Sequence, residues 1–295
     1  MFQSFVHWWE TYPITGIFFN FHYIGQAFLP ILKCLPVSLL LGVIGFVLGI
    51  PGGLLVSFMK MSKSKFLRAI TTAYIDVIRG TPMFLQILII YFGITFMPGY
   101  KSVQQVLRPI VFFNIDLTIW LRCLFVIVIN TAAYQAEIFR AGIQSIPRGQ
   151  SEAARSLGMG KWQTMAFVIL PQTVRRILPT MLSEFILVFK DTSLFAAVSV
   201  AEMVLQARVL AGSYYNQSPL VVTALFYLVI TIPLGRFVAY LENKLAEQDT
   251  GDGSAAPISA RPKRGKRPPR LDATVGDSAH VVTHSENVLN EIGES

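Results

Sequence analysis

Several apolar runs in this chain are long enough to cross a bilayer, and nothing else in the sequence restricts its fold as strongly. A spanning helix needs ~20 apolar residues to cross about 30 Å of hydrocarbon. Lipid offers no partners to backbone polar groups, so only helices and closed barrels can span it. These runs are continuous rather than alternating, which is the helical case. An all-α integral membrane protein with five transmembrane helices is expected, at about 31–58, 69–97, 117–139, 177–200 and 220–240. The first would be about 42 Å long, so it must tilt or protrude. Pro36, Pro51 and Gly52-Gly53 are expected to bend it. The second should change direction at Gly80-Thr81-Pro82. Only 14% of residues are charged, against about 25% in soluble domains.

Lysine and arginine cluster in alternate connections, which orients the helices. Nineteen of them, from Lys60 to Arg79, Arg140 to Arg176 and Arg236 to Arg270, fall on one side. Lys33, Lys101, Arg108 and Arg208 make four on the other. The basic side is cytoplasmic, so the N-terminus is expected outside and the C-terminus inside.

The two ends differ from the 29–245 transmembrane region. Residues 1–28 carry Trp8, Trp9, Tyr12, Phe18, Phe19, Phe21 and Tyr23. Such rings favour the membrane interface, so an outer-surface anchor is expected, and no basic first region marks a cleavable signal peptide. Residues 246–295 read as a disordered cytoplasmic tail rich in Gly, Ala, Pro and Ser. Its block from Arg261 to Arg267 suits either anionic lipid or plain solvation.

Much chemistry is excluded. The net charge of +8 is explained by topology, and no nucleic-acid module is present. Cys34 and Cys123 lie in apolar runs and suggest neither a disulfide framework nor a metal site. His7, His22, His280 and His284 lack ligand partners nearby. No Ser/His/Asp set and no clustered acid/base pair suggests an enzyme. Gly160-Lys161 precedes Trp162 rather than Ser or Thr, so there is no phosphate-binding loop and no nucleotide cofactor is expected on this chain.

Between the third and fourth helices lies the polar loop 140–176. Ser145 to Gly158 reads as a short helix, with Ser145 as its N-cap and Pro147 in its first turn. Ala153, Ala154 and Leu157 form a small apolar face at helical spacing, flanked by Glu152 and Arg155. Gly158 can take the left-handed conformation that ends a helix. After it, residues 162–170 are too short to span and should lie along the interface. Pro171 and Pro179 are expected to re-aim the chain into the fourth helix. On composition alone this is also an ordinary loop between spans.

The order of residues goes further. Glu152-Ala153-Ala154, Gly158 four residues on, then Ile169-Leu170-Pro171 resemble the EAA loop of bacterial ABC importer permeases. Ala133 to Arg140, Ile146 to Gln150, Leu170-Pro171-Gln172 and Lys190 to Leu194 look like the polar amino acid permeases of histidine/glutamine type. Arg79-Gly80-Thr81-Pro82, with Gln86 and Tyr91, is similar to that family's second-helix entry. The resemblance covers about residues 30 to 245; the aromatic N-terminus and the tail fall outside it. It implies the type I ABC importer permease fold and a multi-pass protein of the bacterial cytoplasmic membrane. It also implies a second permease chain, identical or a sister, two ATP-binding cassette subunits that hold ATP and Mg, and an external substrate-binding protein. Gly149, Glu152, Ala153, Ala154, Arg155, Leu157 and Gly158 would couple to the ATPase. Arg79, Gly80, Pro82, Glu137, Arg140 and Pro171 would be structural.

Charges inside a bilayer are paired or line a wet path. Asp76, Arg122, Glu137, Glu184, Lys190 and Asp191 are such charges. Asp76–Arg79 and Glu137–Arg140 are expected as structural pairs. Glu184, Lys190, Asp191, Thr192 and Ser193 are expected along the substrate pathway, where both signs suit a polar amino acid. The run Lys190 to Ser193 also suggests local unwinding. A stand-alone secondary transporter or a dimeric channel is the other reading, although secondary transporters usually show inverted repeats.

Overall fold

Asn20 starts the longest helix of the protein. Its Oδ1 accepts from the backbone N–H of His22 and Tyr23, at 3.0 and 3.3 Å, satisfying donors that a helix start leaves open. The computed structural model describes residues 13–251. After a short helix α1 (Pro13–Phe18), α2 runs unbroken over Phe21–Lys60. At 1.5 Å per residue it is about 60 Å long. It starts well before residue 31, so Phe21 and Tyr23 belong to it and not to a separate N-terminal segment. Trp8, Trp9 and Tyr12 lie outside the described residues. Pro30, Pro36 and Pro51 all lie inside α2. The helix is continuous through all three, and from Gly45 to Gly53 one face of it lies against α6 (Leu117–Gln144).

That face is a ladder of small residues. Gly45, Gly49 and Gly53 recur at helical spacing, are buried and meet α6, while Gly42 meets Phe189 instead. A Cβ on Gly45 would sit 2.3 Å from Ile127 Cγ2, and one on Gly53 2.7 Å from Gln135 Cβ. Lipid gives helices little hydrophobic drive to associate, so close backbone approach over small residues supplies van der Waals contact instead. Gly52-Gly53 therefore marks a close crossing with α6.

Helix α3 (Lys65–Gly80) and α4 (Met83–Gly93) meet at a 110° corner. Thr81 and Pro82 take extended conformations there. Gln86 makes the corner possible: its Nε2 donates to the carbonyls of Ile78 and Thr81 at 2.6 and 3.0 Å. Asn130 on α6 in turn donates to Gln86 Oε1 at 2.8 Å. Beyond α4 lie α5 (Tyr100–Leu107) and a two-stranded antiparallel hairpin, β1 (Val111–Phe112) and β2 (Ile115–Asp116). Asp116 caps α6 by accepting from Ile119 N at 3.0 Å.

Past α6 comes the short helix α7 (Arg148–Ser156). The chain then re-enters through α8 (Lys161–Gln163), a π-helical stretch (Thr164–Ile169) and α9 (Leu170–Asp191). These three join as one helical stretch, so the fourth long helix starts earlier than 177. Pro171 does not break it. Having no N–H, proline leaves a carbonyl of the preceding turn free, and the wider π-turn absorbs the mismatch. At Thr192 the helix tightens to a 3₁₀ form that ends at Val198. A helix that was not expected, α10 (Met203–Tyr214), follows at a 49° bend, and α11 (Ser218–Gly251) closes the described chain. Residues 252–295, most of the expected tail, lie outside the described residues.

Among the described residues, three helical stretches are long and apolar enough to cross a membrane: Thr15–Lys60, Leu117–Gln144 and Ser218–Leu245. The two bent pairs, Lys65–Gly80 with Met83–Phe96 and Lys161–Val198 with Met203–Tyr214, meet the same test jointly. The core sits between α2, α6 and α9, around Leu41, Phe46, Ile127, Val188 and Phe195. Leu55, Ile89 and Val229 are more than half exposed on the outside, which suits a surface that meets lipid.

Candidate functional site

Helix α7 is held at both ends by backbone geometry rather than by side-chain caps. Ser145 does not cap it. That residue ends α6 instead, with its Oγ donating to Gly142 O at 2.7 Å. Pro147 occupies the N-cap position in an extended conformation. At the other end Gly158 has φ +83°, as its sequence position suggested. The Gly158 N–H bonds Arg155 O at 3.0 Å and the Met159 N–H bonds Ala154 O at 3.2 Å. Those two bonds define a Schellman close, which needs a left-handed residue at this point.

The helix has two faces. Ala154 is 5% exposed and packs toward the rest of the chain, while Leu157 is 84% exposed. Gly149, Glu152, Ala153 and Arg155 are exposed as well. The expected single face of Ala153, Ala154 and Leu157 is thus divided, because successive residues point about 100° apart. Ala154 anchors; Glu152, Ala153 and Leu157 form a free surface. Two further ties fix α7 to its surroundings. Gln172 Nε2 donates to Gln150 Oε1 at 3.3 Å, and Arg176 Nη1 donates to Ser145 O at 2.7 Å. Beyond the turn, Trp162 is 76% exposed with its ring edge-on to Phe58.

Replacing Gly158 with valine puts a β-branched residue at positive φ, which costs roughly 1–2 kcal/mol or more. A Cβ there meets nothing within 4 Å, so the strain is confined to the turn. The variant is expected to insert normally and to lose most of the protein's activity. Blot levels compared with solute uptake in membrane vesicles check this; full uptake would refute it.

Beside α7, between α3, α6 and α9, lies a cavity of about 570 Å³ lined by Arg79, Tyr134, Glu137, Arg140, Arg176 and Glu184, among others. Glu137 is held by two cations: Lys60 Nζ at 2.5 Å and Arg140 Nη2 at 2.7 Å. Arg140 also donates to Gln144 Oε1 at 2.8 Å. This network fastens the last turn of α2 to α6. The expected pair Asp76–Arg79 does not form among the described residues. Arg79 instead lies over the Tyr134 ring, 5.3 Å from its centroid, and Asp76 lines an open surface with Lys65 and Arg68. Substituting Glu137 with alanine leaves Lys60 and Arg140 without their shared anion. A loss of roughly 1–2 kcal/mol is expected for a pair still partly wet, seen as a lower melting temperature of the purified chain in detergent. An unchanged melting temperature would show the network to be dispensable.

The structure does not bring the expected pathway residues together. Glu184 reaches the first cavity, while Lys190 and Ser193 line a second, of about 480 Å³, with Thr223 and Tyr227. Asp191 is half-buried. Thr192 is fully buried and its Oγ1 donates to Phe189 O at 2.7 Å, so it completes the turn where the α-helix tightens. Residues that sequence reasoning passed over include Glu202, fully buried, whose carboxylate accepts from Val204 N and Leu205 N at 2.9 and 2.7 Å. An acidic N-cap before Met203 was a legible signal. Arg122 lies over Tyr91, 4.1 Å from the ring centroid. Among the described residues no group of three His, Cys, Asp or Glu could hold a metal ion. His22 bonds Gln26 at 3.0 Å, and the other three histidines lie outside the described residues.

A family profile described as "Binding-protein-dependent transport system inner membrane component" matches residues 45–247. The chain is 33% identical over 209 residues to the glutamine transport system permease protein GlnP of Escherichia coli K12, covering 70% of this chain and 89% of that protein. It is 30% identical over 218 residues to the nopaline transport system permease protein NocM of Agrobacterium fabrum, covering 74% and 88%. Among solved structures, that of an amino acid ABC transporter with histidines aligns with a TM-score of 0.60 at 32% identity, over 73% of this chain and 94% of the other.

Proposed function

Because the chain belongs to the family of inner membrane components of binding-protein-dependent transport systems, we propose that it is a permease subunit of an ATP-driven importer of polar amino acids. The observation that carries the mechanism is the division of α7: Ala154 is rooted in the chain while Glu152, Ala153 and Leu157 stand free. A partner ATPase subunit seats on that free face, with ATP and Mg²⁺ bound on the partner. Two permease chains and two ATPase subunits make the working unit, and an external binding protein delivers the solute. Closure of the ATPases on ATP moves α7 and switches the pathway between its inward and outward states.

In this reading the chain crosses the bacterial cytoplasmic membrane five times, each bent pair counting once. The N-terminus is outside and the C-terminus inside, because α7 and the basic connections share one side. The substrate class rests on the relatives, which are named for glutamine, nopaline, octopine and arginine transport. Glu184 and Arg79, on the wall of one cavity, offer opposite charges suited to an ammonium and a carboxylate. Lys190, Asp191, Thr192 and Ser193 lie further along α9, where the helix tightens.

Gentle purification from native membranes, with mass spectrometry of what stays bound, tests the assembly. An ATPase subunit in near-equal amount is expected, with ATP-dependent uptake of a labelled polar amino acid after reconstitution with the binding protein. Solute movement by the purified chain alone, without an ATPase, would replace this reading with a channel.

A further inference from the structure

The loop that carries α7 is closed at its neck by a side chain. Arg176 donates from Nη1 to the carbonyl of Ser145 at 2.7 Å, across thirty-one residues of sequence. Ser145 is the C-cap of α6, where carbonyls lack helical partners. Immediately below, Gly142 lies against α9: a Cβ on it would be 2.2 Å from Ile177 Cγ2 and 3.0 Å from Thr173 Cγ2. Contact at Gly142 and the Arg176 bond together join the end of α6 to the start of α9. Helix α7 hangs from that junction.

At its far end α7, anchored by buried Ala154, runs into a connection that contains two glycines. Between Leu157 and Lys161 the chain contains Gly158 and Gly160, with Gly158 at positive φ. The first turn of α7, near the junction, is also tied to α9 by a contact between neutral amides, Gln172 with Gln150 at 3.3 Å. A push on the free face of α7 thus meets a glycine-containing connection at one end and the Ser145–Arg176 junction at the other. The second joins two helices, α6 and α9, directly.

We infer that Arg176 is a positioning residue for energy coupling: it clips α6 to α9 so that displacement of α7 moves both helices as one body. The inference rests on the permease reading given above. With the clip removed, the ATPase still docks and hydrolyses ATP, but the stroke is absorbed by rocking of α7 about Pro147 and Gly158.

The test uses the full complex of permease, ATPase and binding protein in proteoliposomes, with uptake and ATP hydrolysis measured on the same sample. Arg176→Met keeps the apolar stem and deletes the charged donor. Amino acid uptake per ATP is expected to fall about tenfold, the size of effect a charge-assisted hydrogen bond can have. Hydrolysis should stay within about twofold of wild type, since a charge that does not touch the docked face changes it little. Arg176→Lys, which keeps a charged donor, should recover part of the ratio. A parallel fall of uptake and hydrolysis, or an unchanged ratio, would overturn the clip. Should Arg176→Met fail to assemble, Arg176→Gln, whose amide is too short for Ser145, is read in its place, and a wild-type ratio there overturns it equally. Wild-type complex without ATP-linked uptake would bring down the permease reading and the clip together; a coupled wild type with a coupled variant brings down the clip alone.

Discussion

Gly45→Val is expected to remove the protein from the membrane almost completely. A Cβ at this position would lie 2.3 Å from Ile127 Cγ2 and 2.9 Å from Ile127 Cβ. The second distance matters more. A Cβ is bound to the backbone and cannot swing aside, and Ile127 is fully buried. Either α2 and α6 separate or Ile127 carries its helix with it. Overpacking in a rigid core costs about 1–3 kcal/mol for smaller insults than this. Here the separation would also loosen the neighbouring steps of the ladder, at Gly49 and Gly53. In a membrane the lost contact is the main force holding the pair together, because lipid is as apolar as the side chains it replaces. Gly235→Val on α11 is the control: a Cβ there meets nothing within 4 Å. Steady-state amounts of the two variants, with melting temperatures of whatever is recovered, make the comparison. Equal amounts of both would show that the glycine ladder is not what joins α2 to α6.

Ala153→Arg should abolish transport in a chain that folds and inserts normally. Ala153 is exposed on α7 and Ala154, its neighbour, is 5% exposed. If the free face seats in a groove of an ATPase subunit, a long charged side chain there opens the contact and strands a charge within it. Central interface positions carry about 2–4 kcal/mol, which corresponds to roughly thirtyfold or more in binding. Uptake should fall by at least that factor, and ATPase subunit should be lost on purification. Ala154→Leu should behave in the opposite way. It strains the packing beneath α7 and lowers the amount or melting temperature of the chain itself. The pair therefore separates docking from folding at adjacent positions. Wild-type uptake by Ala153→Arg would mean that this face meets no partner during transport.

Much of this was legible along the chain. Apolar runs located the helices because a bilayer sets a minimum length. The corner at Gly80-Thr81-Pro82 was readable because a residue before proline avoids the helical region. Gly158 declared its turn because few other residues accept positive φ. The order of motifs around Glu152-Ala153-Ala154 pointed to the family, to which the chain belongs. These are local properties, decided by a residue and its few neighbours, and so a linear string contains them.

What the string did not contain was which side chains meet. Pro36, Pro51 and Gly52-Gly53 read as sites of a bend, and nothing in the string showed that α6 approaches at Gly53, where a Cβ would lie 2.7 Å from Gln135 Cβ. Asp76 and Arg79 are spaced to pair, yet Arg79 turns to the Tyr134 ring. Glu137 took Arg140 as expected and also Lys60, which is remote in sequence. Glu184 and Lys190 share a helix but open into different cavities. Helical periodicity states the direction in which a residue points; the partner in that direction depends on how two helices cross. Sequence alone therefore determined that this is a bundle of membrane helices with one polar helix set between spans. Tertiary packing alone decided the faces of α7, the cation that shares Glu137, and the clip between Arg176 and Ser145, since each joins elements whose relative placement no local rule specifies.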